Sequence, residues 1–456
     1  MVMAHQNFSP IQINQVEISL PIPEIQLDRQ TADPSSSQKV LALVRLHTQP
    51  VGIVSLEVPP QGFTAHQFAD GIWQALGAQI NAHLRADGLA PVDHLPVSGV
   101  TNPDQPACTQ ARAQVLAHAP WVSVLVATHN RPDTLATTLD SLLTMHYPYF
   151  DIIVIDNAPA NDAAAALIDH SYSSAPVRVR YVREDRPGLG LAHNRGFLET
   201  QAEYVAITDD DVTVDRYWLA EIMKSFCIAP DIGCVTGMIF PAEIQTIAQY
   251  WIENSVGFSK GFNRQIFGLK ENRLNHPLFP YAAGMFGSGA NMAFRSDVLR
   301  KMGGFDDGLG AGSTALGGDD LAAFFEVLHS GKRLVYEPAA IIYHRHHREY
   351  ERLRQTVYGY GAGLTAYLTK IILDHPEQIA AMARRFPNGL HYALSAKSSK
   401  NARKAEGYPP ELSRLERKGM LGGPFLYLRS RWKTKQNRVQ LSKVKVSAPN
   451  IKGTER

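Results

Sequence analysis

Hydrophobic positions change rhythm twice along this chain. Residues 1–38 show no periodicity and read as an extended lead-in rich in Pro, Gln and Ser, including Pro34 to Gln38. From Val40 to Pro59 two apolar runs of strand character, 41–46 and 51–58, predict a pair of strands joined near Gln49-Pro50-Val51-Gly52. Phe68, Ile72, Leu76 and Ile80 then recur at helical spacing, which predicts a helix over Phe63 to Leu84. Residues 39–118 therefore form a small α+β accessory unit, closing in a Pro-, Asn- and Asp-bearing linker from Pro91 to Pro106.

At Trp121 the pattern becomes an alternation of buried strands and amphipathic helices. Strands are predicted over Val122–Ala127, Asp151–Asp156, Val177–Val182 and Tyr204–Thr208, with helices over Asp133–Met145 and Asp162–His170 between them. A glycine loop, Gly188-Leu189-Gly190, opens a further helix before the fourth strand. Short connections between alternating elements imply an α/β fold, a mainly parallel sheet with helices on both faces, over residues 119–350. Residues 230–285 break the alternation with an aromatic, glycine-bearing region around Trp251, Phe258, Phe262 and Phe267, of the kind that shapes a pocket. Residues 351–456 read as a helical extension, with one helix from Leu353 to Leu373.

Composition adds three constraints. With 456 residues, 45% hydrophobic and 19% charged, the chain can bury a large core. Cys108, Cys227 and Cys234 form no CxxC pair, which points to a reducing compartment and away from a thiolate zinc site. No secretory leader and no uninterrupted apolar run of about 18 residues is read. The net charge of +2 hides an asymmetry: residues 384–456 hold 18 Lys and Arg against 4 Asp and Glu, leaving an acidic body. Such a basic tail suits an anionic membrane surface or a nucleic acid, or is simply solvated.

Candidate chemistry gathers at the strand ends. The fourth strand runs into Asp209-Asp210-Asp211, whose first and third carboxylates point to one side of an extended chain and the second to the other. Crowded carboxylates repel, and a divalent cation with oxygen preference relieves them; an acidic opening for the next helix is the plainer alternative. Thr128-His129-Asn130-Arg131, Asp156 and the triple Asp all sit at carboxyl ends of strands, where ligands bind in such sheets. The glycine loop matches neither a dinucleotide nor a P-loop fingerprint and suits an ordinary turn, with Asn194 and Arg195 near enough to meet phosphates. Asp319-Asp320 follows a glycine-rich segment and opens a helix; taken alone it reads as a cap, or else as a carboxylate carried on a mobile loop. His344 ends a strand and suits a cation or phosphate, whereas His346 and His347 read as solvent-facing. Residues 1–118 show no recognisable chemistry.

Together, in order, these stretches resemble the family 2 glycosyltransferases of GT-A fold. The carriers are Val-Ala-Thr-His-Asn-Arg-Pro, Ile-Asp156-Asn, Gly-Leu-Ala-His-Asn194-Arg-Gly, the Asp209–Asp211 "DxD" element, Gly-Ala-Asn-Met-Ala-Phe-Arg, Gly-Gly-Phe-Asp, Gly-Asp319-Asp320 and His344. The resemblance implies a nucleoside-diphosphate sugar donor, and a glycan, lipid-linked or small-molecule hydroxyl acceptor. It also implies a Mn²⁺ or Mg²⁺ cofactor. Thr128, Asn130, Arg131, Asp156, Asn194, Arg195, Asp209, Asp210 and Asp319 would line the donor site. Asp209, Asp211 and His344 would hold the metal, and Asp320 would act as the base of an inverting displacement. Asp319 stands where Glu is common, and Asp156-Asn157-Ala158-Pro159 replaces the usual Asp-Asp-Gly-Ser turn, which bears on nucleotide choice. A nucleotidyltransferase of related fold and a non-catalytic nucleotide-sugar-binding module are the alternatives. Polysaccharide or cell-envelope synthesis in the cytoplasm, possible peripheral contact with the anionic inner leaflet and no nucleic-acid partner complete the expectation.

Overall fold

The computed structural model describes residues 8–28, 37–101, 104–395, 397–398, 400–404 and 406–435. The stretch Pro34 to Ser36 and the end of the basic tail, 436–456, lie outside the described residues.

The N-terminal unit is a three-stranded sheet of β1 (Gln12–Glu17), β2 (Gln38–Leu46) and β3 (Gln49–Val58), with β1 parallel and β3 antiparallel to the central β2. The strand β1 arises inside the stretch read as an unpatterned lead-in. The hairpin turn also falls earlier than the sequence suggested, at His47-Thr48, whose φ values of 55° and 68° give the mirror-image turn that matches strand twist. Pro50 therefore lies within β3. Helix α1 (Ala65–Ala86) starts in a Thr64–Gln67 capping box and buries Phe68, Ile72, Leu76, Ile80 and Leu84 on the sheet. A short helix, α2 (Ala107–Ala117), follows the linker and had no apolar stripe to announce it.

The central domain then runs β4 (Val122–Thr128), α3 (Pro132–Leu143), β5 (Phe150–Asn157), α4 (Ala163–Leu167), β6 (Val179–Glu184), α5 (Leu189–Leu198), β7 (Tyr204–Asp209), β8 (Val212–Val214) and α6 (Trp218–Phe226). It continues through β9 (Ile232–Pro241), α7 (Ile247–Val256), β10 (Gln265–Phe267), β11 (Asn291–Arg295), α8 (Ser296–Lys301), α9 (Asp319–His329) and β12 (Arg333–His344). The sheet order is β10-β12-β9-β11-β7-β4-β5-β6, with β8 paired to β12. Strands β6, β5, β4 and β7 are mutually parallel, as the alternation predicts. Antiparallel β11 joins them to the parallel pair β9 and β12.

Every residue of β5 and β9 is buried, because helices cover both faces. Side-chain alternation divides the core in two. Val122, Val124 and Val126 meet α3 and α6 on one face, while Leu125 meets α5 and α9 on the other.

The C-terminal helices are α10 (Tyr350–Asp374), α11 (Ile379–Leu394) and α12 (Pro410–Lys435). Helices α10 and α12 approach so closely that a Cβ on Gly361 would lie 2.0 Å from the Glu416 carbonyl oxygen, and one on Gly419 2.2 Å from that of Tyr358. Helix α10 also presses on the start of α9, where a Cβ on Gly318 would lie 2.5 Å from the Gly363 oxygen.

Candidate active site

Strand β7 ends at Asp209 and the turn into β8 carries Asp210 and Asp211, yet the first and third carboxylates face one way and the second the other, as the sequence suggested. Asp210 turns inward and is fully buried; Thr128 Oγ1 donates to its Oδ2 at 2.6 Å, and the Arg131 guanidinium is ion-paired with its Oδ1. Asp209 and Asp211 turn outward toward His344 at the end of β12. His344 Nε2 stands 3.2 Å from Asp211 Oδ1 and 3.9 Å from Asp209 Oδ2. Arg131 Nη1 donates to Asp211 Oδ2 at 2.7 Å, so one arginine serves two neighbouring carboxylates.

The electrostatics follow from burial. Desolvation and the Asp211 charge push the Asp209 carboxyl well up. Burial pushes Asp210 up to about 6 in spite of Arg131. Asp211 is buried too, yet the His344 charge and hydrogen bonds from His344 and Arg131 hold it below the usual range. Burial disfavours the His344 imidazolium, but the Asp211 and Asp209 charges raise its pKa overall. A chain that keeps so much like charge at a strand end needs cationic company, here Arg131 and the His344 ring whose protonation those carboxylates favour.

The second carboxylate pair enters from α9. Asp319 is buried beside the His193 ring, at 3.6 Å, and burial with the Asp320 charge pushes its pKa up. His193 is fully enclosed next to Phe305, and burial lowers it to about 3, so it is neutral. Asp320 accepts from Gly289 N at 3.0 Å and from its own neighbour, Leu321 N, at 2.8 Å. One residue further along that loop, the Ala290 carbonyl accepts from Thr208 Oγ1 at 2.8 Å. The loop 288–290 thus ties Asp320 to the strand that carries the acidic triplet. Capping alone does not describe Asp320: its free face lines the same cleft as Asp209, Asp211 and His344. That cleft has a volume of about 2180 Å³ and extends from Arg131 along Gly287–Ala290 to helices α10, α11 and α12.

The donor-side loops are stitched together by polar contacts. His129 Nδ1 lies 2.6 Å from the Asn157 carbonyl, and Asn130 Oδ1 accepts from Ala160 N. Asn130 and Ala158 both adopt left-handed backbone, with φ of 56° and 48°. At Ala158 this left-handed backbone carries a steric cost of about 1 kcal/mol. Asn157, which sequence reasoning passed over, accepts from Gly188 N and donates to the Arg186 carbonyl, joining the glycine loop to β5. Asp156 is buried in register with Thr128 and accepts from the Tyr181 hydroxyl.

Of the expected donor residues, Arg131, Asp209 and Asp319 line the cleft, whereas Thr128, Asn130, Asp156, Asp210, Asn194 and Arg195 do not. Asn194 faces the protein: its amide donates to the Phe305 carbonyl and Asp307, and its oxygen accepts from Phe305 N, so it pins α5 to the following loop. Arg195 pairs with Glu199 one helical turn on. Helical spacing explains both, since successive residues of α5 point about 100° apart and cannot all meet one ligand. His346 is also corrected: it is buried between His344 and Glu253, with Phe258 packed on its ring, while His347 is exposed as expected.

Residues 123–303 match the family model described as glycosyl transferase family 2. The pre-mycofactocin glycosyltransferase of Mycobacterium tuberculosis is 25% identical over 264 residues, which are 57% of this chain and 49% of that protein. The glucosyl-dolichyl phosphate glucuronosyltransferase of Haloferax volcanii is 20% identical over 228 residues, 49% of this chain and 69% of its own. This chain thus spans about half the length of the mycobacterial relative. A mannosyltransferase from Pyrobaculum calidifontis, solved in complex with GDP-Man and Mn²⁺, aligns over 73% of this chain and 96% of its own at 18% identity and a TM-score of 0.43. The ordered motifs and the strand-end site fall in and beside the matched stretch, so it is the central domain of this chain that is similar to glycosyl transferase family 2.

Proposed function

We propose that the protein transfers a sugar from a nucleoside-diphosphate sugar to a hydroxyl acceptor, with inversion at the anomeric carbon and Asp320 as the base. One observation carries this reading: a single cleft is lined at one end by Asp209, Asp211 and His344 and further along by Asp320.

The donor set fits a divalent cation. Asp209, Asp211 and His344 each offer a ligand atom, and these atoms lie within 4.8 Å of one another. Two carboxylates and an imidazole suit Mn²⁺ or Mg²⁺, which when bound would neutralise charge on the departing diphosphate. The residues do the rest. Thr128 and Arg131 fix Asp210 and the orientation of the triplet. Arg131 is the cation best placed for a phosphate oxygen. The Gly289 and Leu321 N–H groups each hold one oxygen of the Asp320 carboxylate at the cleft wall, where it would take the proton of the attacking hydroxyl.

The acceptor end of the cleft is apolar and opens beside α11 and α12. Ile379, Phe386, Leu390 and Leu394 form an exposed stripe on α11; Leu421, Phe425, Leu428 and Trp432 form one on α12, with Phe425 67% and Trp432 66% exposed. Arg384, Arg385, Arg429 and Lys433 flank these stripes. Apolar faces bordered by cations suit an interfacial helix on an anionic leaflet. Among the described residues no helix is long and apolar enough to cross a membrane. The Haloferax relative, named for a dolichyl phosphate substrate, agrees with a lipid-linked acceptor. Wild-type protein should float with anionic liposomes, and Phe425→Ala with Trp432→Ala should weaken partition at least tenfold, each ring contributing roughly 1.5–3 kcal/mol. Undiminished flotation of the double variant would remove the membrane assignment.

The donor is found by thermal-shift screening against a nucleotide-sugar panel with Mn²⁺ and with EDTA. A shift for one donor that needs metal is the expected result, since ligands that bind only the native state raise its stability. No shift with any donor would overturn the donor-binding reading.

A further inference from the structure

The accessory unit holds a second cluster of chemistry-bearing side chains, remote in sequence from the acidic triplet. His83 and Asp87 stand four residues apart at the end of α1, so both face one side. His47 comes from the β2–β3 turn, where its left-handed backbone aims the ring at α1. Cys108 is the second residue of α2, which brings its thiol to the same point. Four ligand-type atoms from three elements therefore meet within 4.8 Å of one another.

The hydrogen-bond accounting of this cluster does not close. His47 Nδ1 lies 2.8 Å, His83 Nε2 3.1 Å and Cys108 Sγ 3.0 Å from one atom, Asp87 Oδ2. The other carboxylate oxygen already accepts from Cys108 N at 2.9 Å. A carboxylate oxygen offers about two lone-pair sites, so three donors oversubscribe it. The two ring nitrogens are also only 3.3 Å apart. If one of them carries no hydrogen, its lone pair faces the carboxylate; if both do, they fill the lone pairs of that oxygen and leave the thiol none, in a pocket where His47 and Asp87 are less than a tenth exposed.

A cation at the centre resolves all of these contacts, because four lone pairs then converge on one positive charge. We infer that His47, His83, Asp87 and Cys108 bind one Zn²⁺ ion as a closed structural site. Zinc bonds of about 2.0–2.3 Å to N, O and S place tetrahedral ligand atoms roughly 3.3–3.7 Å apart, a few tenths of an ångström wider than several of the separations here. A set of two imidazoles, one carboxylate and one thiolate selects zinc over the harder Mg²⁺ and Mn²⁺. All four positions are filled by protein, which marks a structural rather than a catalytic centre.

The ion would fasten the hairpin, the end of α1 and the start of α2 at the seam with the central domain. From that seam Arg112 of α2 donates to Thr48 Oγ1 at 2.6 Å and to Glu221 of α6 at 3.0 Å, and Gln49 reaches Glu221 as well. The isolated cysteine that argued against a thiolate zinc site thus acts with partners from elsewhere in the chain.

The test is elemental analysis of the full chain purified without added metal, followed by Co²⁺ exchange. About one zinc per chain is expected in the wild type and in Asp211→Asn. The Co²⁺ form should show a thiolate-to-metal charge-transfer band and strong tetrahedral d–d bands, both lost in Cys108→Ser and kept in Asp211→Asn. A wild-type protein that contains no zinc, and gives no thiolate–Co²⁺ band on titration, would overturn the inference. Neither readout depends on sugar transfer, so failure of the proposed activity would leave this result interpretable.

Discussion

Replacing Asp320 by Asn should lower turnover by about 10²–10⁴-fold, the range that a positioned general base contributes. The donor should still raise the thermal stability of this variant in the presence of metal. Asn keeps the shape of the side chain and can still accept from Gly289 N, so the loop 288–290 stays tied to β7. What it loses is the capacity to take a proton. Burial raises the Asp320 pKa, so the wild-type rate should fall as pH drops through a value above the ordinary carboxylate range. The sign is fixed: a base works only when deprotonated, and activity is lost on the acid side. Measured as product formed per enzyme with saturating donor, an Asn variant within threefold of wild type would remove Asp320 from the base role.

Asp211→Asn should abolish the response to metal with little change in the metal-free fold. At Mn²⁺ a hundredfold above its dissociation constant, the wild type gains about 2.7 kcal/mol by mass action. The variant, with one anionic ligand fewer between Asp209 and His344, should gain almost none. Its fold should persist because Arg131 keeps its ion pair with Asp210, and removing one of three adjacent charges relieves repulsion. Thermal melts with Mn²⁺ and with EDTA check this. Equal metal-induced shifts in both proteins would place the cation elsewhere.

Most of the central sheet was legible in the sequence because buried strands and amphipathic helices write their period directly. Val122–Thr128 and Phe150–Asn157 extend their predicted runs by only one or two residues. The opposed orientations of Asp209 and Asp210 were legible too, although Asp210 and Asp211 stand in the turn that follows the strand. What stayed hidden was set by partners distant in the chain. Strand β1 is read only when β2 is beside it, and α2 has one buried side chain, Arg112, whose reason to be buried is Glu221, 109 residues away. Asn194 and Arg195 meet Phe305 and Glu199 instead of the cleft because the helix, which a motif does not display, decides which way each side chain faces. His346 looked exposed in a polar run, and only the insertion bearing Phe258 and Glu253 encloses it.

The pressed contact between Gly318 and Gly363 has a consequence for how such a chain can be cut or varied. The matched domain ends at residue 303, before Asp320 and His344, and the wall that holds the start of α9 belongs to α10. A fragment trimmed to the matched residues would keep the acidic triplet and discard Asp320. A side chain gained at Gly363 would push on the element that carries Asp320, so the C-terminal helices bordering the cleft and Asp320 are mechanically coupled. Exchanging the C-terminal helices for those of another protein would therefore also shift Asp320.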